Sequence, residues 1–164
     1  MKNNQIAQSS FEYLLMQIVM NRQKESETID DSKEKIKRIG YDVGNRLTER
    51  FTDFEKPINK IDESIKYLLT IQWCKPFFDN PTLKYIESNK TYTITVLQSD
   101  FVSTISSFQI EKYNPIEIKE LYLSYLIGII HGSLNSRGFK VDIHYPNIKN
   151  NFDHSFELII TLCE

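Results

Sequence analysis

The segment from Asn114 to Gly138 limits the possible folds more than any other part of the sequence. It opens with three helix-start signals, because a capping Asn is followed by Pro in the first turn and by Glu at the third position. Apolar side chains then occur most of the way round the helix, among them Leu121, Tyr125, Leu126, Ile129 and Ile130. A helix that is apolar on all sides has to be buried. We therefore expect this helix at the centre of the fold.

Three more helices are predicted in the first half of the chain. The first opens at Ser9, which can cap it while Glu12 reaches back, as in a capping box. The second covers roughly residues 31–54, and the third begins near residue 59 or 60 and ends around Pro76.

The first helix carries more apolar area than a helix covering one side of a sheet needs. Phe11, Leu14, Leu15, Ile18 and Val19 recur at helical spacing, and two methionines widen the same face. Apolar surface left in water often marks an interface. We therefore expect a partner surface here, although the chain's own core could instead absorb these side chains.

Two pairs of glycines lie inside predicted helices, each pair one turn apart. Gly40 and Gly44 belong to the second helix, and Gly128 and Gly132 to the buried helix. Because Gly costs about 1 kcal/mol relative to Ala in a helix, such pairs indicate close approach of another backbone. That backbone can belong to the same chain or to a partner subunit, and the sequence leaves both alternatives open.

The strands are predicted from alternation of apolar and polar residues. Residues 91–97 alternate clearly, residues 101–108 more weakly, and residues 139–145 and 155–162 form a long hairpin. The order of helices and strands predicts an α+β fold, with helices on one face of a four-stranded antiparallel sheet.

Length and composition predict a single domain spanning residues 1–164, with a polar tail at 1–8 and a solvated charged loop at 24–35. The net charge is −2 with both signs interspersed, which argues against nucleic-acid binding. No apolar run is long enough to span a bilayer. The two cysteines are far apart and no secretory signal is seen, so we expect the reducing cytosol.

The chemistry-bearing residues form no recognisable catalytic pattern. Neither a phosphate-binding glycine loop nor a nucleophile elbow occurs. His144 and His154 lie at the ends of the predicted hairpin, but a metal site would need a third ligand. An enzyme would need a cleft that joins His131, Cys74 and an acid. We expect no catalytic residue, no cofactor and no metal.

Two stretches of the sequence resemble the small subunits of the transport protein particle (TRAPP) complex. The first is residues 39–51, Ile-Gly-Tyr-Asp-Val-Gly-Asn-Arg-Leu-Thr-Glu-Arg-Phe, and the second is residues 126–134, Leu-Ile-Gly-Ile-Ile-His-Gly-Ser-Leu, with Gly138-Phe139 after it. The chain looks most like the subunit 6 type and next most like the subunit 5 type.

This resemblance implies an α/β plait that pairs with a related small subunit through its first two helices. The founding subunit of the complex would be the mate, although the isolated chain could also pair with itself. The implied partner residues are Phe11, Leu14, Leu15, Ile18, Val19, Ile39, Gly40, Val43, Gly44 and Leu47. Gly40 and Gly44 would permit the close crossing.

The resemblance also implies a function in trafficking between the endoplasmic reticulum and the Golgi. The complex tethers vesicles and promotes nucleotide exchange on a Rab GTPase, and this subunit type would be a non-catalytic scaffold. It would be cytoplasmic and peripheral to early secretory membranes. The founding subunit carries an acylated cysteine between its second and third helices. Residues 55–61 contain none, so we expect no acylation there.

A small-molecule-binding module is the alternative function. Related bacterial sensor domains hold apolar molecules between helices and sheet. Such a site would be an enclosed pocket lined by Trp73, Phe77, Tyr125 and Ile129.

Overall fold

The computed structural model describes residues 13–21, 28–51, 60–70, 78, 80–99, 102–103, 114–146 and 155–163. The main helices are α1 (13–21), α2 (Ile29–Phe51), α3 (Ile61–Thr70) and α4 (Pro115–Ser136). The strands are β1 (Thr82–Ile86), β2 (Thr91–Val96), β3 (Val141–His144) and β4 (Phe156–Leu162). None of the helices within these residues is long and apolar enough to cross a membrane.

The four strands form one antiparallel sheet in the order β1-β2-β4-β3. Ile94 of β2 lies opposite Leu158 of β4, and both side chains are buried in the core that the helices share. The alternate residues of these strands, such as Thr93 and Ile159, are half-buried on the other face. This arrangement confirms the predicted α+β fold with a four-stranded antiparallel sheet.

Helix α4 is the central buried element, as its sequence predicts. Its buried residues run from Ile118 to Leu134 with few interruptions. The predicted capping residues also make their bonds: Glu117 N donates to Asn114 Oδ1 at 3.0 Å, and Asn114 N donates to Glu117 Oε2 at 2.8 Å. The helix therefore begins where local chemistry sets its start, and its apolar surface fixes its place in the core.

The predicted second strand, residues 101–108, is wrong at Val102 and Ser103, which are helical. Val102 N donates to Ser99 Oγ at 3.2 Å and Ser103 N donates to Ser99 O at 2.9 Å, so Ser99 starts a helical turn. The outer strand beside β2 is β1 instead. Sequence patterning missed β1 because a five-residue strand that follows a proline alternates too briefly to be recognised. Residues 104–110 lie outside the described part of the chain.

The predicted charged loop at 24–35 is also corrected, because α2 already begins at Ile29. Asp31 N donates to Thr28 Oγ1 at 3.2 Å, which caps the helix, and Asp30 and Asp31 complement the positive end of the helix dipole. Lys35 and Asp31 then pair across one turn at 2.7 Å. The charged residues at positions 30–35 therefore belong to a helix and not to a loop. Residues 24–27 and the tail at 1–8 lie outside the described residues.

Candidate partner-binding surface

Helices α2 and α4 cross so closely that their glycines touch. A Cβ atom built at Gly128 would lie 3.0 Å from the Cα of Gly40, and one built at Gly40 would lie 3.2 Å from the Cα of Gly128. At Gly44 and Gly132 a Cβ would overlap carbonyl oxygens of the facing helix. The two glycine pairs predicted from the sequence are therefore each other's partners within one chain.

This contact corrects the assignment of Gly40 and Gly44 to a partner surface. Both are buried under the chain's own α4, so the backbone that approaches them belongs to the same chain and not to a partner subunit. They share one stripe of α2 with other buried residues spaced one turn apart, namely Ser32, Ile36, Gly40, Gly44 and Thr48. The stripe faces inward, and at its two glycines the lack of a side chain allows the α4 backbone to come this near.

The apolar residues of α1 divide into a buried set and an outward set. Leu15 and Val19 are only 1% and 0% exposed and belong to the core. Leu14 is 57% exposed, its neighbour Tyr13 is 60% exposed, and Ile18 is half-buried. The core thus absorbs part of the apolar surplus predicted from the sequence, and the rest remains on the surface. Phe11 lies outside the described residues.

Three predicted residues of α2 form a strip beside the buried stripe. Ile39, Val43 and Leu47 follow one another at one-turn spacing and are half-buried. Ile39 packs against the core. Together with Leu14 and Ile18 of α1, these three residues make up what we call the candidate partner surface. It contains five of the ten residues that the sequence assigned to partner binding.

Polar contacts fix the rotation of α2 on α4, and so decide which of its side chains face outward. Ser133 Oγ donates to Gly44 O at 3.1 Å, in the buried crossing itself. At the N-terminal end of α2, Lys33 Nζ lies 2.6 Å from Glu120 Oε2 of α4. Burial lowers the pKa of Lys33, but the hydrogen bond to Glu120 and the charge interactions with Tyr145, Glu120 and Asp30 together outweigh this effect, and the pKa ends above its usual value.

Aromatic and amide contacts flank the same crossing. Asn135 Nδ2 donates to the Tyr41 hydroxyl oxygen at 2.6 Å. The rings of Tyr41 and His131 meet edge to face, with centroids 5.3 Å apart. Burial, and next the nearby charge of Lys37, lower the pKa of His131. Tyr41 and His131 also line an open groove outside the crossing, whose other lining residues are Glu34, Lys35, Lys37 and Arg38.

Sequence reasoning did not single out this groove. Lys37 and Tyr41 lie one turn apart on α2, and His131 and Asn135 lie one turn apart on α4. Each pair lies next to a glycine pair in the sequence. That proximity is the sequence feature that could have indicated the groove. Only the crossing brings the two helices side by side and so brings these residues together.

The residues considered for chemistry remain separate where the structure describes them. His144 Nδ1 lies 3.7 Å from Asp142 Oδ2 at the surface. No cluster of three or more potential metal-binding side chains occurs among the described residues. Cys163 is exposed just after β4. Cys74 and His154 lie outside the described part.

The alternative ligand pocket can be assessed at two of its four residues. Tyr125 and Ile129 are buried in the core, and burial raises the pKa of Tyr125 to about 12. Backbone atoms of both residues contact the glycines of α2. They therefore serve the crossing of α2 and α4. Trp73 and Phe77 lie outside the described residues.

Comparison with known proteins connects this fold to a family. No curated protein matches the sequence at a significant level. Among solved structures the chain is similar to trafficking protein particle complex subunit 3 from Naegleria fowleri, which was crystallised covalently bound to palmitic acid. The TM-score is 0.70 at 20% sequence identity, and the match covers 96% of this chain and 97% of that chain. At this identity the likeness establishes the fold. The family profile of the transport protein particle (TRAPP) component matches residues 11–161, and the chain therefore belongs to the TRAPP component family.

Proposed function

We propose that this chain is a non-catalytic scaffold subunit of a TRAPP vesicle-tethering complex, in the manner of the subunit 6 type. It would act by pairing with a related small subunit through α1 and α2. The observation that carries the proposal is the outward position of Leu14, 57% exposed on a helix whose inward residues Leu15 and Val19 are buried in the core. A helix that is apolar on both its inner and outer sides favours a second covering surface.

The energetics favour a partner over exposure to water. Fully burying a large aliphatic side chain is favourable by about 1.5–3 kcal/mol. Leu14 offers most of its area for burial, and Ile18, Val43 and Leu47 offer part of theirs. Association has to offset lost translational and rotational freedom, so these side chains must act together with a wider contact.

The α2 part of the candidate partner surface is held in place before any partner arrives. The backbone of α2 is clamped to α4 by the glycine crossing and by the bond from Ser133 to Gly44. A fixed helix loses little conformational freedom on binding, which favours affinity. Exposed charged residues, Asp42 and Arg46, follow the apolar strip along α2. They suit the polar rim that surrounds the apolar centre of most interfaces.

In this proposal the chain is a scaffold, and nucleotide exchange on a Rab GTPase is an activity of the whole complex. In this proposal the mate is the founding small subunit, and the chain works on the cytoplasmic side of early secretory membranes without inserting into them. The palmitic acid belongs to the Naegleria fowleri protein. We do not extend it to this chain, because the segment between α2 and α3 contains no cysteine.

The test is a binding measurement with the founding small subunit as the partner. Analytical ultracentrifugation of the mixed full-length chains should show a heterodimer. Leu14→Asp should weaken it by more than about tenfold, since burying an unpaired charge costs several kcal/mol. Leu97→Asp is the matched control, because Leu97 is 77% exposed but follows β2 and belongs to neither α1 nor α2. Failure of the unmodified chains to associate at micromolar concentration, or equal losses in both variants, would overturn the proposal.

A further inference from the structure

The open groove beside the helix crossing is rich in hydrogen-bond donors. Its lining residues are Glu34, Lys35, Lys37, Arg38, Tyr41 and His131. We propose that this groove binds a phosphate monoester group, with Lys37, Arg38, the Tyr41 hydroxyl and the His131 imidazole as the groups that contact it. The proposal concerns a face of α2 other than the candidate partner surface and does not depend on the proposed function.

The cations of α2 differ in whether a carboxylate already neutralises them. Lys33 pairs with Glu120 of α4, and Lys35 pairs with Asp31 one turn earlier. In the part of the chain that the structure describes, Lys37 and Arg38 form no ion pair. Two adjacent, uncompensated cations in one groove attract a dianion. Arginine also presents a fork of donors that matches phosphate oxygens.

Tyr41 lines the groove, and its hydroxyl group keeps a hydrogen that it can donate. Its hydroxyl oxygen already accepts a hydrogen bond from Asn135 Nδ2 at 2.6 Å. The hydroxyl hydrogen is then available for another acceptor. The edge-to-face contact with His131 limits the movement of both rings. A ligand that accepts hydrogen bonds therefore meets fixed donors there, which reduces the entropy lost on binding.

The surroundings of His131 fit an anion. Burial and the charge of Lys37 lower its pKa, whereas the charge of Asp142 raises it. The other ionisable side chains that line the groove are Glu34, Lys35, Arg38 and Tyr41. A bound anion would offset the repulsion from Lys37 and favour the charged imidazolium, which donates from both ring nitrogens.

Phosphate suits this donor set better than a single carboxylate. A phosphate monoester carries close to two negative charges at neutral pH and has three acceptor oxygens. Those oxygens can be shared among an ammonium, a guanidinium and a phenol. Of the six described residues that line the groove, only Glu34 is acidic, so the charge of this lining favours an anion.

Nuclear magnetic resonance of the full chain tests the site. The imidazole signals of His131 are followed during titration with inorganic phosphate, with glycerol phosphate, and with vesicles of phosphatidylcholine with and without phosphatidylinositol 4-phosphate. Binding should shift these signals and raise the pKa of His131. Lys37→Gln combined with Arg38→Gln should weaken the response by more than about tenfold, because the double variant removes both cations that form no ion pair within the described residues.

Arg46→Gln is the matched control, since Arg46 is an exposed cation on the same helix that does not line the groove. It should leave the titration unchanged. A response to soluble phosphates alone supports the proposal with a free ligand as the source, and an added response to the phosphoinositide vesicles identifies a lipid headgroup. If no probe shifts His131, or if Arg46→Gln weakens binding as much as the double variant, the proposal is wrong.

Discussion

Ser133 of α4 donates a hydrogen bond of 3.1 Å from its Oγ to the carbonyl oxygen of Gly44 in α2, across 89 positions of sequence. The bond is buried, and both residues lie where the two helices cross. A short hydroxyl side chain reaches that carbonyl because Gly44 has no side chain in the way. The same relationship fixes the rotation of α2, and therefore fixes which of its apolar residues face the surface.

The first prediction concerns Gly44→Ala. A Cβ at this position would overlap the carbonyl group of Ile129, which is backbone and cannot move aside alone. Although Ala is favoured over Gly by about 1 kcal/mol in an open helix, we expect a net loss of about 3 kcal/mol as the helices separate. Glu49→Gly is the converse control, because this exposed α2 position should lose stability only through propensity. Urea unfolding measures both, and a Gly44→Ala protein at least as stable as the original would contradict the close crossing.

The second prediction concerns Lys90, whose φ of 49° places it in the left-handed region in the turn before β2. A side chain there costs roughly 1–2 kcal/mol relative to glycine. Since glycine also loses more freedom on folding, Lys90→Gly should gain less than about 1 kcal/mol, and Lys90→Val should lose stability.

Lys84 provides the matched position for this pair of substitutions, because it is exposed but extended within β1. Valine should be preferred over glycine at Lys84, the reverse of the order expected at Lys90. Thermal unfolding of the four variants checks the inversion. The same order at both sites would rule out backbone strain at the turn.

The third prediction tests the start of the buried helix. Asn114→Ala removes the side chain that accepts from Glu117 N at 3.0 Å, which should cost about 1 kcal/mol in the free energy of unfolding. Asn114→Asp keeps an accepting oxygen at the cap and should lose little. Denaturant unfolding compares the two variants, and equal losses would mean that the cap contributes nothing specific.

The fourth prediction is a pH dependence at His131. Its pKa is lowered from 6.5 in the folded chain, so the unfolded chain binds this proton more readily. The stability associated with His131 is therefore complete above pH 6.5 and is lost as the pH falls through the lower folded-state pKa. In phosphate-free buffer, the free energy of unfolding should decrease less on acidification for His131→Asn than for the original chain. The exposed His144 serves as control, and His144→Asn should retain the full loss.

Elements with strong local signals could be predicted from the sequence. The capping residues Asn114 and Glu117 predicted where α4 starts, and the continuous apolar surface after them predicted its central position. The alternation at residues 91–96 gave β2. The outer strand β1 could not be recognised, because an edge strand is specified mainly by pairing with its neighbour, as Leu83 does with Ile94.

The candidate partner surface could be predicted only in part. Helical periodicity marks Leu14, Leu15, Ile18 and Val19 alike as apolar. It cannot separate residues that face the core from residues that face outward when the apolar face is this broad. Contacts between α1 and the rest of the chain make that division, and they bury Leu15 and Val19 while leaving Leu14 exposed.

The sequence by itself determined that α2 and α4 each bring a backbone unusually close to another one, because paired glycines inside helices are costly without such a contact. Only the tertiary structure decided that they meet each other, with Gly40 lying against Gly128. The reason is that the glycine pattern shows only that another backbone comes close to each helix. A helix of the same chain or of another chain would satisfy the pattern equally well. Packing of the whole core selects between those two.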